Sequence, residues 1–214
     1  MKKTATLEQI REYRKMLDNL SYDDNMDKVN SFMEEYDTMC SLFEENGCVG
    51  VKDILGEVLV PAMFDDITVV FSDVNRHFAL PVIKNGKYGL VKPDGKGTMA
   101  AECIYDNIHF EGGCHYLAKD GKQGMYDAYG NEVIPVSADK VFEPWNDLIV
   151  FESDGKFGFA MFGSGVVTKA EYDAYEMDAN EDLVVTLNGK KGYLDEAGKF
   201  TEDTDEAWFN ARPE

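Results

Sequence analysis

The sequence predicts a mainly β protein: an array of about five antiparallel β-repeats behind an N-terminal α-helical hairpin. Three observations predict it. Five copies of Gly-x-x-Gly, each with a further Gly about six residues on, begin at Gly47, Gly86, Gly121, Gly155 and Gly189. These glycines are 39, 35, 34 and 34 residues apart, and a fixed period in that range marks a repeat architecture. A second motif falls into register with the first: Phe64-Asp65-Asp66-Ile67, Tyr105-Asp106-Asn107-Ile108, Ala138-Asp139-Lys140-Val141 and Tyr172-Asp173-Ala174-Tyr175, with a degenerate copy at Thr204-Asp205-Glu206-Ala207. Ahead of the repeats, apolar residues recur at helical rather than strand spacing.

Residues 1–45 are expected to form the helical hairpin, acting as a cap on the first repeat, and residues 46–214 the β-repeat domain. Thr6-x-x-Gln9 reads as a capping box. Leu7, Ile10, Tyr13, Leu17 and Leu20 then form one apolar stripe. Asp24 or Asn25 is placed to cap a second helix, whose apolar face is read as Met26, Val29, Phe32, Met33, Tyr36, Met39, Cys40 and Phe43. Asn46-Gly47 is expected to end it, both types tolerating left-handed backbone.

Within the repeats, Asn85-Gly86, Asp120-Gly121, Asp154-Gly155 and Asn188-Gly189 are dipeptides that favour two-residue hairpin turns with positive φ. Runs rich in β-formers precede them: 78–83, 116–119, 148–152 and 183–187. The second glycine of each motif is expected near a strand start, where a bare Cα lets another backbone approach. Asp94-Gly95, Tyr129-Gly130 and Ala197-Gly198 mark the next turn. The recurrent Asp65, Asp106, Asp139 and Asp173 are read as structural, accepting backbone N–H groups in turns. A Trp208-Phe209 pair is expected to pin the C-terminus.

The pattern Asn-Gly-Lys-aromatic-Gly-Leu-Val, closest in Asn85-Gly86-Lys87-Tyr88-Gly89-Leu90-Val91, followed by Pro-x-x-aromatic-Asp-x-Ile, resembles the WG-repeat (KWG) family of bacterial β-rich repeat proteins. The resemblance spans about residues 46–209. It departs from the family in one respect. The Trp expected before the second Gly is Val49, Tyr88, Gln123, Phe157 and Lys191 here. The resemblance implies an extended β structure and an interaction role, and no specific activity.

Composition narrows the function. The net charge is −20, from 41 acidic against 21 basic residues. That balance opposes binding to nucleic-acid phosphates or anionic lipid and favours capture of a basic partner. No secretory leader and no membrane-length apolar run is visible, so a cytoplasmic location is expected. The four cysteines, Cys40, Cys48, Cys103 and Cys114, are expected to be reduced. Cys103, His109, Cys114 and His115 form one tempting metal-like cluster, but the spacing fits no standard zinc motif. No phosphate loop or dinucleotide fingerprint occurs. No catalytic, cofactor or metal residues are therefore assigned.

The leading expectation is a non-enzymatic protein–protein interaction module. In its sharpest form it is an acidic inhibitor or immunity-type protein that masks a basic partner. The candidate docking residues are Glu171, Asp173, Glu176, Asp178, Glu181, Asp182, Glu202, Asp203, Asp205 and Glu206. The same carboxylates also read as a solvated face protecting a sheet edge. Two alternatives stand beside this. One is a ligand-binding protein or enzyme with an aromatic groove lined by Tyr88, Tyr105, Tyr126, Phe157, Tyr172 and Tyr193. The other is a scaffold that recruits partners through the helical hairpin.

Overall fold

The computed structural model describes residues 2–18, 26–142, 147–161, 165–178, 182–195 and 197–203. Leu20, Asp24, Asn25 and the Trp208-Phe209 pair lie outside them. The protein is mainly β, with two α-helices and five small antiparallel sheets among the described residues. It divides into two compact units, one of residues 1–105 with 128–130, the other of residues 106–127 with 131–214.

The first unit begins with α1 (Leu7–Asp18) and α2 (Met26–Glu35). The capping box forms as the sequence predicts. Gln9 N–H donates to Thr6 Oγ1 at 3.3 Å, and Thr6 N–H donates to Gln9 Oε1 at 2.9 Å. Tyr13 stacks on Phe32 with ring centroids 4.5 Å apart, joining the apolar faces of the two helices. The second helix is shorter than expected. It stops at Glu35, and Ser41–Glu45 form a strand, β1, paired with β2 (Cys48–Lys52) across Asn46-Gly47. Asn46-Gly47 is thus a hairpin turn like the other four and not a helix end. Tyr36 still closes the last turn, its N–H donating to Phe32 C=O at 2.9 Å, but Met39, Cys40 and Phe43 kept a helical period by coincidence; Cys40 N–H instead donates to Phe71 C=O at 3.2 Å.

The first sheet has the order β1-β2-β3, with β3 at Val58–Phe64. The second is a four-strand meander, β4 (Asp66–Ile67), β5 (Leu80–Lys84), β6 (Lys87–Val91) and β7 (Met99–Tyr105). Val51, Val60, Phe64, Ile67, Val82 and Val91 form the core between them.

The second unit holds three further four-strand meanders. They are β8 (Asn107–Glu111), β9 (Cys114–Lys119), β10 (Lys122–Asp127), β11 (Glu132–Ala138); β12 (Lys140–Val141), β13 (Leu148–Ser153), β14 (Lys156–Met161), β15 (Val166–Val167); and β16 (Ala174–Met177), β17 (Leu183–Leu187), β18 (Lys190–Leu194), β19 (Phe200–Glu202). Met125, Ile134, Ile149 and Phe151 centre one core, and Phe159, Tyr172 and Val185 another.

Two glycines of each motif have separate jobs. Every turn pair, from Asn46-Gly47 to Asn188-Gly189, has positive φ at both residues, as a twist-matched two-residue hairpin requires. The second glycine lies at the third position of its strand, two residues further in than the start where it was expected. At Gly50, Gly89 and Gly124 a Cβ would meet backbone atoms of the next strand at 2.6–2.7 Å. The register slips at these same points, so the missing side chain admits a bulge in β3, β7 and β11.

Candidate functional site

The recurrent aspartate is where the chain passes from one sheet to the next. Asp65, Asp106, Asp139 and Asp173 each donate their N–H to a carbonyl two residues ahead of the following turn, on Ile83, Ala118, Glu152 and Thr186 respectively. Three of the carboxylates cap that turn by accepting the N–H of Asn85 at 2.6 Å, of Asp120 at 2.8 Å and of Asp154 at 2.7 Å. The fourth, on Asp173, accepts from Gly189 N–H at 3.2 Å. The turn lysines add a second tie, since Lys122 pairs with Asp139 and Lys156 with Asp173. The side-chain hydrogen bonds from these ammonium groups hold both carboxyls below the usual aspartate range. The structural role read for this aspartate is therefore present at all four positions.

Of the ten carboxylates proposed as a docking patch, Glu181, Asp205 and Glu206 lie outside the described residues. The structure brings the others onto and around the last sheet, and engages several of them internally. Asp173 is the joint just described. Glu176 pairs with Lys191 across β16 and β18 through β17, and Glu202 pairs with Lys190 at 2.8 Å. Asp178 Oδ1 accepts Asp182 N–H at 3.0 Å. Glu171, Asp182 and Asp203 are exposed.

Sequence reasoning missed one charged cluster. Arg14 of α1 bonds Asp53 Oδ2 and Asp73 Oδ1 through Nη2, each at 2.7 Å, and pairs Asp73 again through Nε. Asp53 and Asp73 are buried, at 3% and 0% exposure. Asp53 Oδ1 also accepts the N–H groups of Leu55 at 2.8 Å and Glu57 at 2.9 Å. The cluster clamps α1 onto the first sheet. Beside it, burial pushes the Tyr13 phenol and the Cys40 thiol each up to about 12. Its members stand 39 and 59 residues apart, so no local pattern announces them.

Of the six aromatics read as lining a groove, Tyr105, Tyr126 and Tyr172 are buried, whereas Tyr88, Phe157 and Tyr193 are half-buried, and Phe157 meets Tyr175 edge to face at 5.0 Å. All four cysteines are free, and burial raises the Cys114 thiol to about 11. His109 stacks on Tyr116 at 4.7 Å and His115 is fully buried. Among the described residues, no group of three or more His, Cys, Asp or Glu is placed to hold a metal. An open groove of about 350 Å³ lies against α1 and α2, lined by Met16, Ser31, Phe32 and Tyr36. No described helix is long and apolar enough to cross a membrane.

No family model and no curated protein sequence matches the chain. Among solved structures it is similar to a eukaryotic initiation factor, at 7% identity and a TM-score of 0.35, over 78% of this chain and 52% of that one. It is also similar to Hsv2 of Kluyveromyces lactis, at 12% identity and a TM-score of 0.30, over 77% and 59%. A second Hsv2 structure gives 13% identity and a TM-score of 0.30, over 82% and 65%. The chain thus spans between half and two thirds of the length of these proteins.

Proposed function

We propose that this protein is a non-enzymatic interaction module, built as five WG-like β-repeats capped by an N-terminal helical hairpin, whose acidic exterior masks a basic protein partner. The observation that carries the reading is how its basic residues are used. Arg14 is turned inward onto Asp53 and Asp73, and Arg76 is held by Asp18. Lys3, Lys122, Lys156, Lys190 and Lys191 are each paired with a carboxylate of the chain itself. With 41 acids against 21 bases, the charge left to face a partner is negative. Such a field speeds encounter with a basic surface and sets its specificity.

Titrating salt against a purified complex tests this. Binding weakens as ionic strength rises, because the field is screened over about 8 Å at physiological salt. Affinity indifferent to salt would overturn the masking role.

A further inference from the structure

The first sheet has three strands among the described residues, where each of the other four sheets has four. The place of a fourth strand is chemically defined. In the complete sheets a short outer strand pairs with the first hairpin strand: β4 with β5, β8 with β9, β12 with β13 and β16 with β17. It enters through the joint aspartate, whose N–H reaches the carbonyl two residues ahead of the turn. In the first sheet that carbonyl belongs to Glu44, and the turn N–H that an aspartate would cap belongs to Asn46.

Strand alternation turns the N–H and C=O of Leu42 and Glu44 away from β2, because Glu45 and Cys48 flank the two-residue turn. Phe71 and Ser72 cover the edge beside Met39 and Cys40, and no described strand continues past Leu42 and Glu44. Side-chain burial agrees. The counterparts of Leu42 are Pro81, Tyr116, Val150 and Val184, and all four are buried, whereas Leu42 is 49% exposed.

We propose that the outer edge of β1 is a strand-accepting site for a partner segment of the pattern aromatic-Asp-Lys/Arg-apolar. The inference rests on the interaction reading above and names how the partner docks. Each position follows from an occupied copy. The aromatic matches buried Phe64, Tyr105 and Tyr172. The aspartate donates to Glu44 C=O and accepts from Asn46 N–H. The apolar residue lies opposite Phe43, as Ile67 lies opposite Val82 and Ile108 opposite Leu117. The residue between falls opposite Glu44; in the fourth sheet Lys140 lies opposite Glu152 at this position, so a cation suits it. Backbone pairing gives such added strands affinity and the alternate side chains give specificity.

The chain's own last copy, Thr204-Asp205-Glu206-Ala207, is the poorer match. It replaces the aromatic by Thr and the apolar residue by Ala, and it carries Glu206 at the position facing Glu44. Like charges directly opposite are destabilising. A basic partner segment meets none of these penalties.

The test is fluorescence anisotropy of the full chain with a labelled peptide of residues 104–110 carrying Asn107→Lys. Saturable binding is expected, weakened about tenfold or more when the peptide also carries Asp106→Ala, since the carboxylate that accepts Asn46 N–H is lost while the backbone N–H to Glu44 C=O is kept. Glu44→Lys in the chain weakens the Lys peptide and restores binding to an Asn107→Glu peptide. Glu44 is exposed, so this variant keeps its fold. No saturable binding, or equal affinity for the Asp106→Ala peptide, overturns the proposal. Binding seen only with a chain ending at Asp203 also overturns it, assigning the edge to the chain's own last copy. A basic partner that binds in a salt-dependent way yet is not displaced by the peptide overturns this site and leaves the acidic-surface reading standing.

Discussion

Alanine at the two glycines of one motif separates their roles, and the third copy gives the cleanest comparison. At Gly124 an added Cβ would lie 2.6 Å from Val136 N and 2.7 Å from Ile134 O, both backbone atoms of β11. Ordinary contact begins near 3.4 Å, so β11 would have to retreat by about 0.8 Å. It is hydrogen-bonded to β10 on both sides of that point and cannot swing away as a flexible side chain would. Overpacking of this kind costs about 1–3 kcal/mol, and loosened ladder bonds bring Gly124→Ala to the upper end, about 3 kcal/mol. At Gly121 a Cβ meets nothing within 4 Å, and only the φ of +79° opposes it. Left-handed backbone costs a non-glycine residue about 1–2 kcal/mol. For a chain of this size each kcal/mol moves Tm by about 2–4 °C. Thermal unfolding followed by circular dichroism should therefore show Gly124→Ala falling by roughly 6–12 °C and Gly121→Ala by about a third to two thirds as much. A larger loss at Gly121 than at Gly124 would refute the close-approach account of the second glycine.

Two further perturbations follow from the charges. Arg14→Met leaves Asp53 and Asp73 buried without their cation, which costs about 3–5 kcal/mol; adding Asp53→Asn and Asp73→Asn should recover part of that loss in denaturant unfolding, and a single-variant cost below about 1 kcal/mol would show that the clamp is not what holds α1. Asp139 and Asp173 have their carboxyls lowered by Lys122 and Lys156, so their stabilisation is present above the ordinary aspartate value of about 3.9 and is lost as pH falls through the lowered folded values. The stability gap between wild type and an Asp139→Asn, Asp173→Asn double variant should hold from pH 7 to 5 and close below about pH 4; a gap unchanged down to pH 2 would contradict that role.

What the sequence revealed was local chemistry. The four turn pairs from Asn85-Gly86 to Asn188-Gly189, the capping box and the joint aspartates are each specified by residues a few positions apart, and the structure forms all of them. The run from Met39 to Phe43 misled because hydrophobic spacing fits helix or strand over so short a stretch. The signal that resolves it was present: Asn46-Gly47 is the same dipeptide that turns the other hairpins, so the residues before it belong to a strand. The Arg14 clamp was illegible because its three members come from α1, the segment just after β2 and a short 3-10 helix at Asp73–Asn75. The acidic cluster was visible as composition, but which carboxylates face lysines of neighbouring strands depends on register. That register placed Lys191 beside Glu176 and Lys190 beside Glu202.

The central claim is that the acidic exterior captures a basic protein. Its most direct test is affinity capture from host lysate at low and at high salt, read by mass spectrometry, with a variant in which Glu171, Asp182 and Asp203 are changed to Lys run alongside. The account predicts that one basic protein is held at low salt, released at high salt and lost with the charge-reversed variant. Capture of nothing specific, or of a protein held equally at both salts and by both chains, would contradict it.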